Sequence, residues 1–206
     1  MTLSRKGELR VSGHVSNPED LGLLRSSLSD FQQLGRVNED VLVNGWPICE
    51  VLEILGSSTA MSAGTQNAPV VRPFNHGSVY VGGESLIVEA QGTGLYDAYL
   101  YIDFIQNDGN VLHMLPFDRL PDNKVGPGER IVLGADDVQY VLAAPYGTEM
   151  LLIIASPVPL FGELRAEVEP AKSYFKALEQ ALERVTADGH GSKILSAYHV
   201  LTTKAE

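Results

Sequence analysis

Residues 98–115 read AYLYIDFIQNDGNVLHML, and that run decides the fold. Leu100, Ile102 and Phe104 alternate with Tyr99, Tyr101 and Asp103, the period-two pattern of a strand whose two faces meet different surroundings. Asn107, Asp108 and Gly109 follow. These residues accept the positive φ of a tight hairpin turn, so Val111–Leu115 is expected to return antiparallel to Ala98–Ile105 until Pro116 stops it.

Working outward, the same grammar fills residues Glu84 to Phe161. Ser85–Ala90 reads as a strand after the Gly82-Gly83 turn, and Gly92 and Gly94 break the chain before Ala98. Beyond the hairpin, the Gly126-Pro127-Gly128 turn precedes strands at Arg130–Leu133, Val138–Ala143 and Glu149–Ser156. The last is apolar on both faces and belongs in the middle of a sheet. No helical period separates these runs, which favours two packed antiparallel sheets over an α/β fold.

The order Tyr80-Val-Gly-Gly-Glu84, Tyr99-Leu-Tyr-Ile-Asp103, Asp108-Gly109, Leu115-Pro116, Gly126-Pro-Gly-Glu129 and Gly147-Thr-Glu-Met-Leu151 resembles the bacterial domain family DUF4384. The resemblance runs over residues 80–161 and implies a β-sandwich. It also implies a setting, because such domains are commonly attached to bacterial Ser/Thr kinases, caspase-like peptidases and envelope or secretion proteins. The kinase and peptidase signatures themselves, a Gly-rich loop with its Lys, a His-Arg-Asp loop or a Cys-Gly nucleophile, do not occur in the sequence.

The N-terminal segment has a different rhythm. Leu9, Val11 and Val15 alternate with Arg10, Ser12 and His14, a half-buried strand. Asn17 is an N-cap, Pro18 suits the first helical position, and Glu19 and Asp20 place negative charge at the positive end of the dipole. Leu21, Leu24, Leu28 and Phe31 then recur at helical spacing, with Gly35 as the C-terminal cap. A second strand is expected over Asp40–Asn44, followed by a short helix from Pro47, on which Ile48, Val51, Leu52 and Leu55 share a face and Trp46 acts as a hydrophobic staple. The Val-Ser-Gly-His-Val start, capped helix and Val-Leu-Val strand resemble the BON-type βαβ modules of bacterial envelope proteins.

Gly56–Pro69 is small and polar and reads as a linker. At the other end, Pro170 opens a helix with Tyr174, Leu178, Ala181, Leu182 and Val185 on one stripe and Gly189 beyond it, and Ile194–Thr202 reads as a final strand. The expected class is therefore α+β: a βαβα domain over 1–56, a linker over 57–69, and an antiparallel β-sandwich with C-terminal helix and strand over 70–206.

Composition narrows function. The 206-residue chain carries a net charge of −11 spread over both halves, and its Lys and Arg residues are scattered among carboxylates. That distribution argues against a nucleic-acid partner. No apolar run approaches the length of a membrane span. A single cysteine, Cys49, excludes an internal disulfide and a Cys-rich zinc site, and in its helix it reads as a small buried side chain. The polar Met1–Arg10 start lacks a signal-peptide core, the expectation for a cytoplasmic chain if the sequence is complete; the family resemblances point instead to a periplasmic or envelope-associated location.

Candidate sites are few. Asp103 and His113 face each other across the hairpin and could form an acid–base pair, although a cross-strand polar pair on a solvated face accounts for them as well. With Tyr99 and Tyr101 they form the candidate binding set; Tyr96, Phe104, Tyr80, Tyr140 and Tyr146 add rings, and an exposed tyrosine row could recognise a peptide, glycan or protein. His14, His76, His190 and His199 lack metal-ligand spacing, and Asp136-Asp137 reads as a solvated turn rather than a calcium loop. No cofactor and no catalytic residues are expected. The leading expectation is a non-catalytic protein-interaction or scaffolding module with a protein partner in an envelope, signalling or secretion assembly. The alternative is a small-ligand or carbohydrate sensor regulating an attached enzyme.

Overall fold

A computed structural model describes residues 2–3, 8–15, 17–29, 36–43, 45–62, 65–75, 77–135 and 138–206. Phe31, Gly35, His76 and Asp136-Asp137 lie outside the described residues. The chain forms two compact units, Met1–Glu50 and Val51–Glu206.

The first unit contains β1 (Thr2–Leu3), β2 (Glu8–Val15), α1 (Pro18–Ser29) and β3 (Arg36–Val43). β2 and β3 run parallel, with Glu8 opposite Arg36 and Val15 opposite Val43, and β1 lies antiparallel on the other edge of β2. The sequence-expected N-cap is in place: the Asn17 side-chain oxygen accepts the Asp20 N–H at 2.8 Å, satisfying a donor that the first turn leaves free. Arg25 on α1 grips the Glu39 carboxylate on β3 with two nitrogens, the shorter bond being 2.6 Å. β3 begins at Arg36 rather than Asp40. Each of its eight residues faces a residue of the parallel β2, so ladder pairing outweighs the polar composition of residues 36–40.

α2 spans Ile48–Ser62 and corrects the linker assignment. The small residues after Gly56 continue the helix, and the Ser58 hydroxyl returns a bond to the Leu55 carbonyl at 2.8 Å instead of breaking it. Beyond α2, the Asn67 carbonyl accepts the Thr93 hydroxyl at 2.8 Å and the Gly94 N–H at 3.1 Å, which ties this part of residues 57–69 to the sandwich. The division between units falls after Glu50, not after residue 56. Trp46 is 49% exposed, and Cys49 is half-buried.

The second unit adds β4 (Val70–Pro73), β5 (Val79–Val81), β6 (Val88–Gln91), β7 (Ala98–Ile105), β8 (Asn110–Leu115), β9 (Lys124–Val125), β10 (Arg130–Leu133), β11 (Thr148–Ser156), β12 (Val168–Pro170), α3 (Ala171–Ala187) and β13 (Leu195–Lys204). The larger sheet has the order β12-β8-β7-β11-β13-β5, with β9 also on β7, and only its β13–β5 pair is parallel. The smaller sheet is β10-β6-β4. Their facing sides pack Val71, Val88, Ala90 and Leu133 against Leu100, Ile102, Phe104, Leu151, Ile153 and Ala155. β11 is central, as its two-sided apolarity requires.

The same alternation gives the larger sheet a second buried face. Tyr101, Asp103, His113 and Leu152 lie there, and α3 packs Tyr174, Phe175 and Leu178 inward. The unit is an α+β sandwich with a helix layer on the outer face of one sheet. Val138–Ala143 does not form the expected strand: its backbone bonds to Glu84 and Leu86 flank a single bridge from Val141 to Ser85, while Tyr140 and Leu142 keep the period-two burial. Among the described residues no helix is long and apolar enough to cross a membrane.

Gly134, at φ +84°, turns the chain between β10 and this segment, and an added Cβ would lie 2.6 Å from the Leu86 carbonyl oxygen. Gly134→Ala is expected to lower the unfolding free energy by about 1–2 kcal/mol or more, read from urea denaturation, through the left-handed backbone cost and this contact.

Candidate functional site

The Asp103–His113 pair forms as the hairpin dictates, with the two residues directly opposite and His113 Nδ1 2.6 Å from Asp103 Oδ1. Its setting departs from the solvated cross-strand pair. Asp103 is 1% exposed and His113 3%, because α3 and the segment before it cover this face. On the far side of the ring, His113 Nε2 lies 3.0 Å from Glu169 Oε1 on β12. Arg165 donates to both Glu169 oxygens at 2.7 and 2.5 Å, and the Tyr174 hydroxyl on α3 donates to Asp103 Oδ2 at 2.5 Å.

Both ring nitrogens of His113 face carboxylates, which accept when ionised, so the arrangement favours an imidazolium with a proton on each nitrogen. His113 and Arg165 then balance Asp103 and Glu169 in charge. Burial works against the charged ring, but the Asp103 charge and the hydrogen bonds to Asp103 and Glu169 outweigh it and hold the His113 pKa above its ordinary value. Burial likewise opposes the Glu169 carboxylate, yet Arg165 and His113 pull its pKa down. Desolvation, followed by the Asp103 charge, drives the Tyr174 phenol well above 10, so it stays a donor.

Beside this network lies a cleft of about 210 Å³ lined by Tyr99, Tyr101, His113, Asn123, Phe161 and Arg165, among others. Three of the four sequence-derived candidates therefore share one site, while Asp103 sits behind them. The tyrosines do not form an exposed row. Tyr101 is 5% exposed, and its hydroxyl accepts the Leu160 N–H at 2.7 Å; Tyr99 is half-buried, with the Lys124 ammonium 6.0 Å from its ring centre. Tyr80 and Tyr140 are buried, Tyr96 donates to the Lys193 carbonyl, and Tyr146 remains outward. Phe161 meets Tyr101 edge-on at 5.6 Å and carries the Arg165 guanidinium at 5.3 Å, so the Pro159–Arg165 segment forms one wall.

Of the residues that the sequence did not single out, Tyr174 and Glu149 differ in how visible they were. Tyr174 was visible as part of an apolar stripe, but its hydroxyl partner comes from residue 103, and nothing local signals that. Glu149 left a clearer trace, since it is in phase with Leu151, Ile153 and Ala155 on the core face of the most apolar strand. It is 3% exposed and its Oε2 is buried with no hydrogen-bond partner among the described residues. Burial pushes its pKa up to about 7, against the pull of hydrogen bonds from Thr203 and the Asn107 N–H. Glu149 lines a second cavity, of about 260 Å³, at the end of the sandwich. No group of three or more His, Cys, Asp or Glu residues that could hold a metal ion occurs among the described residues.

Residues 79–159 match the family model described as Domain of unknown function (DUF4384). This stretch is a DUF4384 domain. The match takes in β5 to β11 and the Tyr99–Tyr101 wall of the cleft; the Glu169, Arg165 and Tyr174 side of the network lies beyond it, as does the N-terminal βαβ unit, for which the BON resemblance finds no support. Neither the curated proteins nor the solved structures contain a match to the chain.

Two pH responses of stability follow. A His113 pKa above the ordinary 6.5 stabilises fully below that value and loses the effect as pH rises through the raised pKa, whereas Glu169, lowered from 4.5, loses its contribution as pH falls. His113→Gln is expected to cost about 3–5 kcal/mol near pH 6, because it leaves the buried Asp103 without its charge partner, and less near pH 9. Glu149 acts with the opposite consequence for its variant. Its pKa, raised to about 7, makes the folded chain bind more protons than the unfolded one between about 4.5 and 7, so ionisation there costs stability as pH rises. Glu149→Gln is expected to raise the melting temperature near pH 8 and leave it nearly unchanged near pH 4. Thermal denaturation of each variant across pH checks both signs.

Proposed function

We propose that the chain is a non-catalytic protein-interaction module of a bacterial envelope, signalling or secretion assembly, docking one partner side chain in the Tyr99–Tyr101–Phe161 cleft. The observation that carries this reading is the commitment of every side-chain heteroatom in the Asp103–His113 pair. Both His113 nitrogens and both Asp103 oxygens are engaged with buried or part-buried partners. A general base needs a free lone pair within reach of a substrate proton, and an imidazolium held between two carboxylates has none to offer.

The cleft itself favours recognition. At about 210 Å³ it falls below the roughly 300–1,000 Å³ of sites that enclose a whole small-molecule ligand, but it accommodates a single side chain. Its aromatic walls are held rigidly, Tyr101 by Leu160 and Phe161 by Arg165, so docking costs little ordering entropy. The envelope or secretion setting rests on the company that DUF4384 domains keep.

Site-specific photo-crosslinking in the native cell tests the reading, with the probe placed at Tyr99 in the full-length chain. The expected result is a discrete adduct with one envelope, signalling or secretion protein, lost on Phe161→Ala and unaffected by moving Glu179, on the far side of α3, to alanine. A hydrolase or transferase activity that disappears with His113→Gln, or labelling indifferent to Phe161, would overturn it.

A further inference from the structure

The geometry points to a binding site for a primary ammonium on an unbranched aliphatic arm, in the cavity at the β7–β8 turn end of the sandwich, with Glu149 as its anchor. The cavity lies between the Gln106–Asp108 turn and the Gln139–Pro145 segment, and holds about 260 Å³. Its apolar walls include Phe104, Leu112 and Leu142. Loop-lined ends of this kind are where sandwiches commonly present their binding surfaces.

The acidic groups at this site differ in one respect. Asp108 accepts the backbone and side-chain N–H groups of Asn110 at 2.9 Å, and Glu167 is paired with Arg119 at 2.7 Å. Glu149 keeps an oxygen without a partner among the described residues, although 97% of the residue is removed from solvent. A buried acceptor left unmade costs free energy that a matching donor recovers. The bonds to Thr203 and Asn107 leave that second oxygen unmet, and a cationic ligand supplies what it lacks.

The number of free oxygens selects the cation. A divalent metal requires several oxygen ligands, and no group of three or more His, Cys, Asp or Glu residues that could hold one is present among the described residues. A guanidinium is best met by both oxygens of a carboxylate, but the Thr203 hydroxyl and Asn107 N–H already bond to this one. An ammonium needs only a point contact. The apolar walls then accept the methylenes behind it. The ammonium could belong to a free alkylamine or to the lysine side chain of a partner, and the inference stands independently of the Tyr99 cleft.

Nuclear magnetic resonance of the uniformly ¹³C,¹⁵N-labelled full chain tests it, using 1,5-diaminopentane, Nα-acetyl-lysine N-methylamide and the Nε-acetylated form of the latter as probes. Ammonium probes are expected to shift the resonances of Phe104, Asn107 and Leu112 and to lower the titration midpoint of Glu149, while the neutral Nε-acetylated probe does neither. Glu149→Gln, which keeps the shape, should weaken binding about tenfold or more, the loss expected for one charge-assisted bond. Ala143→Trp, at an exposed position in the cavity wall, should block the probes without touching Glu149. Binding by the diamine alone assigns the site to a free amine; binding by the capped lysine assigns it to a partner side chain. Equal binding of charged and acetylated probes, an unchanged Glu149 midpoint, or full affinity in Glu149→Gln overturns the inference. Crosslinking from Tyr99 would be untouched by Glu149→Gln, so the two sites fail separately.

Discussion

The start of the helix layer in the second unit is held by His113 between the buried Asp103 and the part-buried Glu169. Asp103 holds it from the neighbouring strand and Glu169 from the edge of the sheet, while Arg165 and Tyr174 close the circuit from either side of that edge. Each charge would be expensive alone in this environment, and the balance between them makes their burial tolerable. The geometric result is that β12 and the start of α3 are pinned to the β7–β8 hairpin. The Pro159–Arg165 segment, and with it the Phe161 wall of the cleft, is positioned by the same bonds.

That arrangement also separates what looks catalytic from what is available. An Asp–His pair on adjacent strands is the raw material of acid–base chemistry, but here the ring's second nitrogen is closed by Glu169 rather than left to a substrate. The reactive groups form a clamp, and what they leave facing solvent is an aromatic cleft. A different carboxylate, Glu149, is buried without such completion. The unit thus contains one polar cluster satisfied from within and one polar group with a bond to spare, and they sit on opposite faces of the larger sheet.

Much of the fold was legible because period-two burial and turn chemistry are local. The β7–β8 hairpin, the central place of β11, the Asn17 cap and the α3 stripe all follow from neighbours within a few residues. Short strands such as β9 and β12 were not legible, since their existence depends on what lies beside them. The linker reading failed at α2 for a related reason: Gly56–Ser62 is weakly helical by composition, but it extends a helix already nucleated, and elongation is easier than initiation. The site was half legible. Tyr99, Tyr101 and His113 do share a cleft, but a period-two pattern shows only that two faces differ. It does not show that the face bearing Asp103 and His113 is covered by a helix some 70 residues further on.

The protonation of His113 is the measurement that bears most directly on this architecture. Long-range ¹H–¹⁵N correlation of the imidazole rings in the full chain is expected to show both His113 nitrogens protonated at about pH 6.5, with a titration midpoint above that value. A neutral ring with one unprotonated nitrogen, titrating at or below 6.5, would contradict the clamp and return His113 to the list of possible bases.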